Sequence, residues 1–181
     1  MKILINVFLI FLIIIPTYTK AELKGQNSGL KLPRFVSTKS DESNLRIGAN
    51  INYPILLTYI LENFPLEITN EYQQWREVKD INGNQGWMHK SLFQGDRYGI
   101  IKNNHSEPTQ IFNKPKGDVI WKIGNRNIVK INKCFNLWCF ISYNKFSGWI
   151  NKKNIWGVYE EEEFNMPFYQ FFINLYWEVI K

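Results

Sequence analysis

The side chains that could do chemistry are few in this chain of 181 residues. Cys134 and Cys139 are its only cysteines, and His89 and His105 are its only histidines. A nucleophilic cysteine needs a nearby base, and a zinc site of two Cys and two His needs paired ligand spacing, which this sequence lacks. Glu160–Glu163 form one acidic run rather than a separated acid and base, and no Gly-rich phosphate loop occurs. We therefore predict that the protein is not an enzyme and has no catalytic residues, metal site or cofactor.

Residues 1–21 are typical of a secretory signal peptide. Lys2 precedes the run ILINVFLIFLIII, which is apolar except for one Asn, and small residues stand just before Glu22. The run is short for a membrane span of about 20 residues, so cleavage before Glu22 is favoured over an uncleaved anchor. The sequence thus predicts a periplasmic or secreted protein, in contact with a membrane only through an uncleaved signal or the C-terminal tail.

Export gives the two cysteines a structural role. Disulfides persist in oxidising compartments, and Cys134 and Cys139 are close enough in sequence to link the two arms of a hairpin. We therefore predict a disulfide between them.

Charge is distributed unevenly along the chain. Residues 22–97 hold nine Lys and Arg against nine Asp and Glu, whereas residues 98–159 hold ten against two, a net charge of +8. Residues 160–181 hold one Lys against five Glu, a net charge of −4. The basic segment should attract polyanions. Export makes nucleic acid an improbable polyanion, so an anionic polymer of the cell envelope is the expected partner.

One short pattern occurs twice in the chain. Gly-Trp stands at 86–87 and again at 148–149, and an earlier tryptophan stands at Trp75 and again at Trp138. The two spacings differ by one residue, as one deletion in a hairpin loop would produce. The pattern predicts an internal duplication of a unit of about 60 residues with roughly five short strands each.

The predicted fold is therefore all-β, with two tandem small β-barrels. The repeats span 36–97 and 98–159 and follow a flexible leader at 22–35, whose sequence is polar and shows no period. Residues 160–181 are an acidic linker and an aromatic tail, whose apolar residues recur at helical spacing. The tail helix could pack on the second barrel, mediate oligomerisation, or contact a membrane or partner; packing or oligomerisation is favoured.

The motifs resemble the bacterial SH3-like domain. That domain has an Asn-x-Arg-x-Gly start, a central Trp and a closing Gly-Trp, which match NLRIG at 44–48, Trp75 and Gly-Trp at 86–87. The wider sequence over roughly 33–159 is similar to exported bacterial proteins that carry two such domains. The second copy has TQIFNKP at 109–115 in place of the Asn-x-Arg start, so no role of Arg46 carries over to it.

The resemblance implies a non-catalytic binding module that recognises peptidoglycan or other cell-envelope material. A protein–protein interaction or structural role in the envelope is the alternative. Such binding requires a shallow groove lined by aromatic rings. The first repeat is expected to supply specificity and the basic second repeat long-range attraction. The candidate ligand-binding residues are Tyr53, Tyr72, Trp75, Trp87 and Arg46, with Tyr59, Trp121, Trp138, Trp149 and Trp156 as further aromatic candidates.

Two structural interpretations of these residues stay open. The four tryptophans at matched positions could instead belong to the core or its rim, with core packing favoured for each of them: Trp75, Trp87, Trp138 and Trp149. Arg46 could bind a ligand carboxylate, but hydrogen bonds to local backbone carbonyls are favoured.

Overall fold

The computed structural model describes residues 22–103 and 107–165. The signal peptide predicted over residues 1–21 and the helix predicted in the tail lie outside these ranges. Within them, no helix is long and apolar enough to cross a membrane.

The described residues form two seven-stranded antiparallel sheets. The strands of the first are β1 Arg34–Thr38, β2 Ser43–Arg46, β3 Ile55–Tyr59, β4 Pro65–Tyr72, β5 Trp75–Lys79, β6 Gln85–His89 and β7 Phe93–Gln94. Those of the second are β8 Tyr98–Ile101, β9 Thr109–Phe112, β10 Val119–Ile123, β11 Ile128–Phe135, β12 Trp138–Tyr143, β13 Phe146–Asn151 and β14 Ile155–Trp156.

The two sheets have the same strand order. It is β3-β2-β6-β5-β4-β1-β7 in the first and β10-β9-β13-β12-β11-β8-β14 in the second. A short 3-10 turn precedes the last strand of each sheet, at Lys90–Leu92 and Lys152–Asn154. The predicted all-β fold with two similar small domains is confirmed, although each domain has seven strands rather than about five.

Strand register confirms the internal duplication. Trp75 pairs with His89 in the first sheet as Trp138 pairs with Asn151 in the second, and Trp87 occupies the position of Trp149 on the strand after the hairpin. The backbone repeats as well. Residues with positive φ, which mark tight turns, recur sixty-three positions apart at Asn63 and Arg126 and at Gln73 and Asn136.

Close packing explains the Gly of each Gly-Trp pair. A Cβ atom at Gly86 would lie 2.6 Å from the carbonyl oxygen of Arg46, and one at Gly148 would lie 2.5 Å from the side chain of Ile111. Only glycine permits the strand to approach its neighbour so closely. The glycine is therefore a packing requirement of the fold at equivalent places in the two domains.

Both cores consist mainly of aliphatic side chains. Strand alternation directs one side chain in two inward, so Leu66 and Ile68 of β4 are buried. The buried cluster of the first domain is Leu32, Leu45, Tyr59, Leu66, Ile68, Val78 and Met88. That of the second is Ile101, Ile111, Ile123, Val129, Ile131, Cys134, Cys139, Ile141, Ile150 and Ile155.

The segment 22–35, predicted to be a flexible leader, is instead built into the first domain. Arg34 and Phe35 begin β1, and Leu32 is part of the core. The backbone of residues 24–31 folds back on itself, with a hydrogen bond of 2.8 Å from Gly25 N to Leu30 O. Polar composition suggested a free linker, but the segment packs because Glu71 of β4 binds it.

Aromatic packing joins the two domains. The Phe35 ring lies 5.1 Å from the Trp156 ring and 4.8 Å from the Tyr159 ring, between centroids. The Tyr159 hydroxyl donates a hydrogen bond of 2.8 Å to the Glu67 carboxylate. Burial is the largest cause that raises the pKa of Tyr159, and the hydrogen bond to the Glu67 carboxylate raises it further. The two domains are thus in direct contact through Trp156 of β14 and Tyr159 after it, on one side, and Phe35 of β1 and Glu67 of β4 on the other.

Candidate ligand-binding surfaces

The tryptophans of the first repeat lie on the outer face of its sheet. On β5, Arg76 and Val78 are buried, so Trp75 and Glu77 point the other way and are half-buried. On β6, Met88 is buried and Trp87 is half-buried. The prediction that these tryptophans pack in the core is therefore wrong, because the inward positions are those of their sequence neighbours.

Strand pairing arranges the outward side chains in two rows. One row contains Arg46, Trp87 and Glu77, which are direct partners across β2, β6 and β5. The other contains Tyr72, Trp75 and His89 across β4, β5 and β6. Four of the five predicted ligand-binding residues (Arg46, Tyr72, Trp75 and Trp87) thus share one face, although they are distant in sequence.

The fifth residue, Tyr53, lies in the loop between β2 and β3. Arg46 Nη1 donates a hydrogen bond of 2.7 Å to the Tyr53 carbonyl oxygen. The guanidinium is thus hydrogen-bonded to a local backbone carbonyl, as favoured from the sequence. Tyr53 and Tyr72 are 48% and 53% exposed. Both tyrosine rings are accessible, whereas Tyr59, a further candidate, is buried in the core.

The equivalent row in the second repeat is aromatic. Phe112, Trp149, Phe140 and Lys133 are successive partners across β9, β13, β12 and β11. The Lys133 ammonium lies 5.5 Å from the Phe140 ring centroid and 5.2 Å from that of Trp149, within the range of a cation–π contact. Trp149 is half-buried and outward, so the core prediction fails here too.

A groove of about 980 Å³ lies beside Trp138, at the end of this face, and is named here the lysine groove. Its lining includes Lys102, Thr109, Trp138, Asn151 and Lys153. Trp138 is half-buried and packs edge-on against Phe112, with ring centroids 5.3 Å apart. The groove therefore combines an aromatic surface with amide, hydroxyl and ammonium groups.

Thr109 has a buried hydroxyl without a hydrogen-bond partner among the described residues. The residue is only 3% exposed, and its Oγ1 atom makes no hydrogen bond there. Ser43, at the start of β2, is the corresponding residue of the first repeat and has the same property. A buried hydroxyl without a partner is unfavourable unless a ligand or water satisfies it.

A second groove, of about 580 Å³, also has Trp138 in its lining and is named the acidic groove. Phe135, Leu137 and Trp138 supply apolar surface, and Glu160, Glu161 and Glu163 supply charge. The acidic residues stay close because the buried Lys152 ammonium donates to the carbonyl oxygens of Glu160 and Glu162, at 2.9 and 2.7 Å. Burial lowers the pKa of Lys152, and the nearby glutamates oppose this effect.

The hairpin tip that carries Trp138 is closed by the predicted disulfide. Cys134 and Cys139 are bridged, which confirms that prediction. Cys134 also exchanges two backbone hydrogen bonds with Phe164, of 3.2 and 3.3 Å, so residues after β14 pack against this hairpin. The disulfide thereby fixes residues 135–138, which line one or both grooves.

The same hairpin position in the first repeat contains a buried ion pair. Glu71 pairs with Arg76 in register as Cys134 pairs with Cys139. The Glu71 carboxylate accepts hydrogen bonds from Ser28 Oγ at 2.6 Å and Arg34 Nη2 at 2.7 Å, and it lies 3.4 Å from Arg76 Nε. Burial alone would raise the pKa of Glu71, but the bonds from Ser28 and Arg34 and the charge of Arg76 lower it to about 2.

A third surface is uncharged and apolar. Residues 47–61, the β2–β3 loop and edge strand β3, contain no Asp, Glu, Lys or Arg. Ile51, Leu56 and Ile60 are among the exposed hydrophobic residues here. Exposed apolar surface of this kind is typical of a protein interface.

Sequence reasoning missed Phe112, Phe140, Lys133 and Thr109. The signal that could have found the first three is their register: each occupies the position of an outward residue of the first repeat. Within the described residues, no group of three or more His, Cys, Asp or Glu is placed to hold a metal ion.

Comparison with known families decides the class of the protein. The family model described as the bacterial SH3 domain matches residues 39–95 and 108–157. The chain belongs to the bacterial SH3 domain family. The two matches correspond to the two sheets, so the protein contains tandem bacterial SH3 domains, which are binding modules. Among curated proteins, no sequence matches the chain significantly.

Two solved structures are similar to this chain at low identity. NlpC2 from Trichomonas vaginalis is 12% identical, with 73% of this chain and 51% of that chain covered and a TM-score of 0.32. NlpC1 from Trichomonas vaginalis is also 12% identical, with 76% and 50% covered and a TM-score of 0.29. The chain spans about half the length of these proteins, and at such TM-scores the likeness carries no functional argument.

Proposed function

We propose that this tandem SH3 protein is an exported, non-catalytic module that binds peptidoglycan or another cell-envelope polymer. Bacterial SH3 domains are binding modules that often occur in cell-wall proteins, and residues 1–21 have the sequence of an export signal. The absence of paired catalytic side chains in the sequence supports a role in binding alone.

One observation carries the proposal: Trp138 lines two grooves on the second repeat. An aromatic ring offers rigid apolar area to a sugar or peptide, and the surrounding amides and charges can provide specificity. The sequence placed specific recognition in the first repeat. The grooves beside Trp138 instead favour the second repeat, although the outward Trp75 and Trp87 keep the first repeat a candidate.

Co-sedimentation of the purified full chain with peptidoglycan sacculi tests the proposal. We expect the wild-type chain to sediment with sacculi and Trp138→Ala to weaken binding about tenfold or more, as truncation of a central aromatic contact commonly does. Trp75→Ala, the same change at the equivalent position of the first repeat, is the matched control. Urea unfolding of both variants would show whether folding is preserved.

Three outcomes would separate the possibilities. Wild-type chain that stays in the supernatant would overturn the proposal. Loss of binding in Trp75→Ala but not in Trp138→Ala would move the site to the first repeat, as the sequence predicted. Loss in Trp138→Ala alone, with normal stability, would support the grooves described here.

The uncharged surface at 47–61 favours a second candidate function, that of a protein–protein interaction module in the envelope. Apolar surface without charges suits a protein partner better than a polar glycan. Ile51→Asp/Leu56→Asp would place charges on this surface. Chemical crosslinking in the envelope would detect a protein partner. Loss of the crosslinked product in that variant, with sacculus binding unchanged, would support this alternative.

A further inference from the structure

We infer that the surface around Trp138 selects a zwitterionic ligand, with a carboxylate in the lysine groove and an amine in the acidic groove. The inference rests on the proposed function and specifies the chemistry that the polymer must present. A peptide with a free carboxylate and a basic side chain has this chemistry.

The lysine groove is suited to an anionic group. Lys102 and Lys153 are exposed, and neither forms a salt bridge within the described residues, whereas Glu107 is the acidic residue of the lining. Two unpaired ammonium groups against one carboxylate leave a net positive groove. The side-chain amides of Gln110 and Asn151, which also line the groove, can donate hydrogen bonds to a carboxylate.

The acidic groove has the opposite character. The carboxylates of Glu160 and Glu161 are exposed and form no salt bridge within the described part of the chain, and Lys116 is the cation of the lining. Glu163 Oε1 accepts a hydrogen bond of 2.8 Å from the backbone N–H of Asn136. Leu137 is 51% exposed on the apolar floor. An apolar stem that ends in an amine matches both the floor and the charged rim.

The two grooves are close enough to act on one ligand. Trp138 lines both of them. The turn Lys152–Asn154, which contributes to the lysine groove, is held against the hairpin by a hydrogen bond of 2.8 Å from Lys152 N to Leu137 O. A ligand packed on the Trp138 ring could therefore reach both the lysines of one groove and the glutamates of the other.

This arrangement differs from general attraction between a basic domain and a polyanion. The second repeat carries a net charge of +8 over residues 98–159, so it would attract any anionic polymer. The acidic groove would repel such a polymer locally unless the polymer also presented cations. Specificity for mixed charge is thus the property that the geometry adds to the net charge.

Calorimetric titration of the purified full chain with defined peptides tests the inference. The probes are acetyl-Ala-Lys-Ala-Ala with a free carboxylate, its C-terminal amide, and its Nε-acetyl-lysine form. We expect each neutralised peptide to bind about three- to fivefold more weakly, since each loses one exposed ion pair. The combined substitution Lys102→Gln/Lys153→Gln should abolish the loss of affinity caused by amidation but keep that caused by lysine acetylation. Glu160→Gln/Glu161→Gln should have the converse result.

Matched controls are Lys145→Gln, at the far end of the β12–β13 hairpin, and Glu42→Gln, in the first repeat; both should keep the full discrimination. Equal binding of the three peptides, no binding of any of them, or an identical effect of both groove variants on all peptides would overturn the inference. Sacculus binding without peptide discrimination would leave the proposed function standing. Peptide discrimination without sacculus binding would support the zwitterion site and overturn the proposed polymer.

Discussion

The two domains stabilise the same hairpin by different chemistry. In the first, Glu71 and Arg76 face each other across β4 and β5; in the second, Cys134 and Cys139 do so across β11 and β12. Each pair brackets a tight turn with a positive-φ residue, Gln73 or Asn136. The disulfide joins two residues only, whereas the Glu71 carboxylate also accepts hydrogen bonds from Ser28 and Arg34 of the N-terminal segment.

This difference shows how one fold can solve a local problem in two ways. A buried carboxylate is stable only when charges and hydrogen bonds compensate its desolvation, so Glu71 requires the segment before β1 to be in place. A disulfide requires only an oxidising compartment. The first domain should therefore be sensitive to charge and pH, and the second to redox conditions.

Removing the charge of Glu71 should have the largest effect on stability. Glu71→Gln leaves the guanidinium groups of Arg34 and Arg76 without a carboxylate, and loss of one partner of a buried pair commonly costs about 3 kcal/mol. Urea unfolding followed by far-UV circular dichroism would measure the change. Glu77→Gln, on the outer face of the next strand, is the control and should change stability little. Equal losses in both variants would show that Glu71 has no special role.

Acid should destabilise the first domain for the same reason. The folded pKa of Glu71 is about 2, below its ordinary value of 4.5, so the carboxylate binds protons more weakly in the folded state. Its contribution is fully present above pH 4.5 and is lost as the pH falls from there towards 2. The free energy of unfolding of the wild type should decline over this window more steeply than that of Glu71→Gln. Parallel curves would contradict the assignment.

Breaking the disulfide should have a smaller effect. Cys134→Ala/Cys139→Ala opens a short loop, and we expect a loss of about 2 kcal/mol in the free energy of unfolding. Reduction of the wild type should destabilise it by a similar amount and leave the variant unchanged. A free thiol in protein taken from its native compartment would contradict the structural role of the bridge.

The ion pair of the first domain can be replaced by a disulfide like that of the second. Glu71→Cys/Arg76→Cys has the register of the natural bridge and should form a disulfide, detectable by thiol labelling after denaturation. It should still lose the attachment of Arg34 and Ser28, so the N-terminal segment should become more susceptible to proteolysis. Unchanged protease resistance would show that Glu71 does not hold that segment.

The contact between the domains should have the smallest effect. Tyr159→Phe keeps the ring beside Phe35 but removes the hydrogen bond to Glu67, so we expect a loss of about 1 kcal/mol. Unfolding monitored by two probes would show whether the domains still unfold together. A loss as large as that of Glu71→Gln would mean that the interface controls stability more than the hairpins do.

Much of the fold was predictable because it depends on local patterns. Asn82-Gly83 is a typical hairpin-turn dipeptide, and the structure has the β5–β6 hairpin there, with φ of 90° at Gly83. The spacing of Gly-Trp and of Trp75 and Trp138 predicted the duplication. The shape of the leader was not predictable, because a polar segment gains its structure from one distant carboxylate, that of Glu71.

The candidate site was predictable only in part. The sequence drew attention to aromatic residues at repeated positions, but their direction depends on strand phase, and the inward positions on β5 belong to Arg76 and Val78. An arginine at an inward position conceals the alternation, because its burial depends on Glu71 in the preceding strand. The grooves beside Trp138 were beyond sequence reasoning, since they combine residues from β9, the β11–β12 hairpin and the segment after β14.

The sequence by itself determined the class of the protein: all-β, duplicated, with one disulfide, and with its positive charge in the second half. These properties follow from periodicity, spacing and composition, which act between near neighbours or add along the chain. Only the tertiary structure decided that Glu71 and Cys134 are equivalent, that the N-terminal segment folds onto the first domain, and that Trp138 lines two grooves of opposite charge. Each of these depends on which strands pair and in which register, and residues far apart in sequence meet only when the sheet forms.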